Sequence, residues 1–173
     1  MSINNVDLER LGQTVEAVRA DPSKARKTNR IEGVWNAAPG PQFSATVTYE
    51  GGTMTFDADQ PTFLGGGGRS PGAMLYCLFG SASCYAATFA TVAASEGVEL
   101  KRFTVTAESD IDFSKPLGLS DNPIAEGVRF TLHVESDAPE EKLAEIEEIS
   151  KERCPAVYCL TQPIPLTTEL AFG

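Results

Sequence analysis

Between Pro71 and Ser95 the chain runs for 25 residues without one charged side chain, and helix punctuation brackets the run. Ser70 suits an N-cap, Pro71 the first helical position, and Gly97 the left-handed residue beyond the last turn. A surface helix shows a charged face, so this one is expected to be buried all round. Its small residues, Gly80, Ser81, Ala82, Ser83, Ala86, Ala87 and Ala90, let another backbone approach closely. Hydroxyls interrupt it every few residues, which makes it a weak membrane span. A helix this long and apolar is hard to cover within 173 residues. A second copy of the chain is therefore expected to cover it, in an obligate homodimer.

The flanking segments alternate between helical and strand periods. Val6, Leu8, Leu11, Val15 and Val18 predict a short amphipathic helix that ends at Asp21-Pro22, followed by the basic linker KARKTNR. Residues 1–29 are read as this helix and linker, and residues 30–173 as one domain. Ile31, Val34 and Trp35, then Phe43, Ala45, Val47 and Tyr49, then Met54 and Phe56 predict three strands, with turns at 39–41 and at Gly51-Gly52. After the long helix, Leu100 to about Asp112 and Gly127–Glu135 predict two more strands across a Pro/Gly/Asn-rich loop. Asp137 with Glu140 marks the capped start of an amphipathic helix that stops at Cys154, before Pro155. Val157–Leu160 and Leu166–Phe172 are expected to close the chain as strands. The order of elements predicts an α+β fold of antiparallel strands and helices rather than a doubly wound parallel sheet.

Charge narrows the function classes. A net charge of −10 repels nucleic acid and anionic membrane surfaces, so neither is expected as a partner. The N-terminus has neither a basic nor an apolar signal region, so a cytoplasmic location is expected, with the cysteines as thiols or redox groups rather than structural staples. No pair of cysteines has zinc spacing, and the single histidine, His133, sits in a strand context, so no metal is expected. It also has no evident tie to Cys84 as a base. The run LGGGG at 64–68 lacks the Gly-Lys-Ser/Thr that makes a phosphate cradle and reads as a flexible approach to the helix. No cofactor is expected.

Four cysteines remain. Cys77 and Cys84 are seven apart, so they share a helix face about 10.5 Å apart along the axis and cannot bond to each other. A partner for Cys84 must come from Cys154 or Cys159. On spacing alone each of the four can be read as a small buried hydrophobe, the reading adopted for Cys77 and Cys159. Cys84 and Cys154 are kept as candidates for redox work.

Taken together, LGGGG before Ser70-Pro71, the helical GSASCYAATF, AASEGVEL, VESDAPEE and CPAVYCLTQPIPLTTEL resemble the OsmC/Ohr family of thiol-dependent peroxidases and their relatives. The first thirty-odd residues resemble the branch with an N-terminal helical extension. The resemblance implies an OsmC-like α+β fold, with antiparallel sheets around long central helices buried in an intertwined homodimer. It implies a peroxidatic thiolate at Cys84 and a resolving thiol at Cys154, acting on organic hydroperoxides in oxidative-stress defence and recharged by a dithiol reductant. The alternative is a catalytically weak relative that binds an apolar small molecule at the dimer interface. In active members a glutamate near the start of the helix, with an arginine, activates the thiolate. Counted from Pro71 the glutamate position falls on Ala73, and counted back from Cys84 it falls on Leu75. Arg69 and Arg30 are the nearest arginines by sequence.

Overall fold

The computed structural model describes residues 1–172. Its elements are β1 (Ser2–Ile3), β2 (Val6–Asp7), α1 (Leu8–Ala20), β3 (Gly33–Trp35), β4 (Phe43–Tyr49), β5 (Gly52–Ala58), α2 (Ala73–Ser95), β6 (Leu100–Glu108), β7 (Arg129–Ser136), α3 (Glu140–Arg153) and α4 (Pro155–Thr161). The fold is α+β with small antiparallel sheets. The described residues divide into two compact units, one of residues 1–9 with 80–172 and one of residues 10–79.

In the second unit β3, β4 and β5 form an antiparallel sheet in that order. Tyr49 pairs with Gly52 across the two-residue loop Glu50-Gly51, and Gly52 has φ 146°, so the Gly-Gly turn predicted from the sequence is where the hairpin closes. The ring of Tyr76, in the first turns of α2, meets Phe56 edge-on with centroids 5.9 Å apart. Its hydroxyl donates to the Asp57 carbonyl at 2.7 Å. The glycine run is more than a flexible approach. It folds around the buried Asp59, whose carboxylate accepts the Gly67 and Arg69 amides at 3.3 and 3.0 Å and pairs with the Arg69 guanidinium at 3.5 Å. A side chain at Gly66 would meet the Gln60 carbonyl oxygen at 1.9 Å, so that position must stay bare. Next to this loop the Pro71 carbonyl accepts the Asp59 amide, and α2 begins at Ala73 rather than at Pro71.

The first unit is built on the second half of α2. Phe89, Val92 and Ala93 form a core with Val98 and Ile146, and Leu100, Phe103, Leu132, Val134, Leu143 and Ile149 pack against it. Gly97, with φ 70°, ends α2 where the sequence places a left-handed residue. β6 and β7 pair antiparallel, Phe103 opposite Val134 and Val105 opposite Leu132, and alternate side chains bury against α2 and α3. The chain's first residues belong here too: Asn4, at φ 55°, donates to the Val98 carbonyl at 2.9 Å and accepts the Leu100 amide at 2.8 Å.

Several expectations change. Val6 and Asp7 pair with Ser2 and Ile3 before α1 starts. α3 starts after Pro139, which has no side chain able to cap it, and Asp137, two residues earlier, pairs with Lys101 on the surface. Residues 157–160 are not a strand: Pro155 takes the first position of a new helix, α4, and supplies the fixed φ that helix needs. Residues 166–172 have no regular structure. α2 is not covered all round in the single chain, since Met74, Leu75 and Phe79 are 48%, 60% and 67% exposed.

Candidate active site

The site assembles where α3 ends. Pro155 disfavours helical geometry in its predecessor, and Cys154 accordingly has φ −79° and ψ 118°. That break caps α3, since the Cys154 amide donates to the Ser150 carbonyl at 3.0 Å. It also turns the chain into α4, and it leaves the Cys154 side chain 1% exposed. Cys84 lies in the middle of α2, half-buried, and its Sγ is 3.7 Å from that of Cys154. Seventy residues of sequence separate the pair.

Burial is the largest influence on Cys84 and pushes its thiol above the ordinary value of 9.0. The Ala156 amide, at the start of α4, opposes this by hydrogen bonding to the sulfur, while negative charge on Cys154 or Cys159 would raise the thiol further. The neutral thiol is therefore the resting form of Cys84 near neutrality.

Next to Cys84 in sequence, Tyr85 is 2% exposed and its hydroxyl donates to Glu147 Oε1 at 2.8 Å. Glu147 Oε2 holds Lys151 Nζ at 2.7 Å, and the Tyr85 ring packs on Phe130 with centroids 5.4 Å apart. Tyr85, Glu147 and Lys151 form the polar side of a cavity of about 640 Å³ whose apolar side is Val128, Phe130, Val157 and Leu160. Glu147 and Tyr85 were not singled out from the sequence. The only signal was a carboxylate inside the amphipathic pattern of α3, and its partner is 62 positions away.

The remaining sequence candidates are elsewhere. Cys77 and Cys159 are exposed, not packed as small hydrophobes, and Cys159 is on a helix rather than a strand. Ala73 and Leu75 carry no charge, Leu75 being largely exposed. Arg69 is committed to Asp59, and Arg30 to Glu32 at 2.6 Å on the surface. Among the described residues no group of three or more His, Cys, Asp or Glu could hold a metal ion.

The family described as OsmC-like protein matches residues 65–169, a span that contains α2, both sulfurs of the close pair and the whole of α3 and α4. The chain belongs to the OsmC-like family. An OsmC-like protein from Mycoplasma pneumoniae superposes with a TM-score of 0.58 at 21% identity, over 78% of this chain and 87% of that one. An organic hydroperoxide resistance protein OsmC from Legionella pneumophila gives 0.58 at 17% identity, over 79% and 92%. An OsmC-like protein of unknown function from Vibrio cholerae gives 0.57 at 13% identity, over 79% and 95%. At these identities the likeness is one of fold. No curated protein matches the sequence significantly.

Proposed function

We propose that the chain is a homodimeric thiol-dependent peroxidase of oxidative-stress defence, with Cys84 as the peroxidatic thiolate and Cys154 as the resolving thiol. The observation that carries this reading is the 3.7 Å approach of the two sulfurs, one of them almost wholly buried. Cys84 as thiolate attacks the peroxide oxygen, the O–O bond breaks, and the alkoxide leaves with a proton as alcohol. The sulfenic acid on Cys84 is then attacked by Cys154, water departs, and a disulfide forms that a cellular dithiol reduces. The apolar wall of the cavity beside Tyr85, made by Val128, Phe130, Val157 and Leu160, supports organic hydroperoxides as substrate. That organic hydroperoxide resistance proteins share the fold supports the same substrate class. A homodimer is supported by the exposed apolar stretch of α2, Met74, Leu75 and Phe79.

The second reading is a catalytically weak relative that binds an apolar small molecule at the dimer interface. It is favoured by the raised thiol of Cys84 together with the uncharged Ala73 and Leu75 in the place of the family's glutamate. One experiment separates the two. Reduced protein is mixed with cumene hydroperoxide, and consumption is followed with a dithiol present, for wild type and Cys84→Ser. The peroxidase reading expects rapid consumption that the substitution abolishes. Equal slow consumption by both proteins would sink it and leave the binding reading.

A further inference from the structure

Cys84 is carried by α2 and Cys154 by the end of α3, and no covalent bond holds the reduced sulfurs at 3.7 Å. The core cluster that contains Phe89, Val92 and Ile146 joins the two helices, but apolar burial is non-directional and does not by itself set their rotation. A directional link sits one residue from Cys84. Tyr85 is 2% exposed and donates its hydroxyl to Glu147 Oε1 at 2.8 Å. Glu147 precedes Cys154 by seven positions, so the two share a face of α3 about 10.5 Å apart along its axis. Lys151 Nζ holds the other carboxylate oxygen of Glu147 at 2.7 Å and so orients the acceptor. Burial, and then the bond to Glu147, push the Tyr85 phenol above its usual value, which keeps the hydroxyl a donor. Cys84 and Tyr85 are neighbours on one helical turn, so any rotation of α2 that moves one moves the other.

We infer that Tyr85 and Glu147 are positioning residues for the sulfur pair: their hydrogen bond holds α2 in the rotation against α3 that keeps Cys84 beside Cys154. The inference rests on the reading of that pair as the redox couple. Its consequence lies in the equilibrium between thiols and disulfide. With glutathione, the two protein thiols give up two electrons and two protons to one oxidised glutathione, which yields the Cys84–Cys154 disulfide and two reduced glutathione molecules. In the disulfide form the covalent bond itself keeps α2 and α3 in register. In the reduced form the Tyr85–Glu147 bond is the directional link next to the sulfurs. Without it the reduced pair gains freedom that closing the disulfide must take away again, and the constant for disulfide formation falls. A contact that only stabilises the fold contributes equally to both forms and leaves that constant unchanged.

The test uses the full chain in glutathione buffers without peroxide, and alkylation with peptide mapping reads the fraction of Cys84–Cys154 bond. Tyr85→Phe deletes the donor and keeps the ring that packs on Phe130. Glu147→Gln keeps an oxygen for Tyr85 to donate to and removes the charge. Phe89→Leu loosens the core of the same helix and leaves the link alone. The positioning role expects a constant at least about fivefold lower in Tyr85→Phe, the scale of a partly lost hydrogen bond to a charged group. It expects Glu147→Gln and Phe89→Leu to stay near the wild-type constant, Phe89→Leu with a lower melting temperature. A wild-type constant in Tyr85→Phe would overturn the role. So would a constant in Phe89→Leu or in Glu147→Gln lowered as far as that of Tyr85→Phe, since stability or charge would then account for the effect. A failure with cumene hydroperoxide while Tyr85→Phe still lowers the constant would refute the peroxidase reading and not this role.

Discussion

Cys84 sits where burial and a single backbone amide pull its titration in opposite directions, and burial is the larger influence. Since the thiolate is the nucleophile and the thiol titrates above 9.0, each unit of pH below that value leaves roughly a tenth of the reactive form. The rate constant for peroxide consumption should therefore climb with a slope near one in its logarithm from pH 6 up to about pH 9. A stopped-flow profile that is flat below pH 8 would show an activated thiolate and contradict this. Asp59 works with the opposite sign. Hydrogen bonding from the Arg69 amide comes first among the influences that hold its carboxyl below 3.8, and the Gly67 amide and the Arg69 charge add to it. Its stabilising contribution is present above the unfolded value and is lost as pH falls through the lower folded value. Asp59→Asn should thus lower the melting temperature at pH 7 and shrink that difference as pH drops below about 4 in thermal scans. A difference independent of pH would remove the charge from the account. Neither behaviour was legible beforehand. Cys84 and Cys154 could be named from the resemblance of their surroundings, but Asp59 is a lone carboxylate whose donors come from a glycine loop that only the folded chain brings to it.

At the level of elements, the sequence period was informative where a segment carries its own signal. The strands around Val34, Val47 and Phe56, the glycine turn at 51–52, and the body and end of α2 lie where alternation and punctuation place them. The misread segments are those where local pattern is ambiguous or an outside partner decides. Val157, Tyr158, Cys159 and Leu160 are as apolar as a short strand, and periodicity cannot separate the two over four residues. Pro155 at a first helical position was the stronger cue. The start of α2 slipped two residues because the Pro71 carbonyl is engaged with the Asp59 amide, a contact across twelve positions. The same element carries the stability of the first unit. Phe89 is 1% exposed and its ring stacks on Phe103 with centroids 4.8 Å apart, beside the wholly buried Ile146. Phe89→Ala should cost about 3–5 kcal/mol by analogy with large-to-small core changes. Urea unfolding would measure it, and a loss under about 1 kcal/mol would mean that this cluster is not the core.

For the molecule as a whole, the unanswered physical demand is the apolar surface that α2 leaves in water. Met74, Leu75 and Phe79 lie within six positions of one helix and are each about half exposed or more, an arrangement that a solitary soluble chain rarely keeps. The charge of −10 is no bar to self-association, because the exposed stretch itself, from Ala73 to Phe79, holds no charge. Burying a side chain such as Phe79 contributes roughly 1.5–3 kcal/mol, and each 1.4 kcal/mol is a factor of ten in a dissociation constant. Phe79→Glu removes that contribution and adds a carboxylate that would have to be desolvated at the interface. Light scattering coupled to size exclusion should therefore find wild type at twice the chain mass at micromolar concentration. Phe79→Glu should be shifted toward the single chain, with a dissociation constant weakened at least about tenfold. Because Phe79 is 67% exposed in the single chain, the variant should keep its helical circular dichroism, which separates lost association from lost folding. Wild type running as a monomer would remove the dimer from the proposed function while leaving the 3.7 Å thiol pair intact, since both of its sulfurs come from one chain.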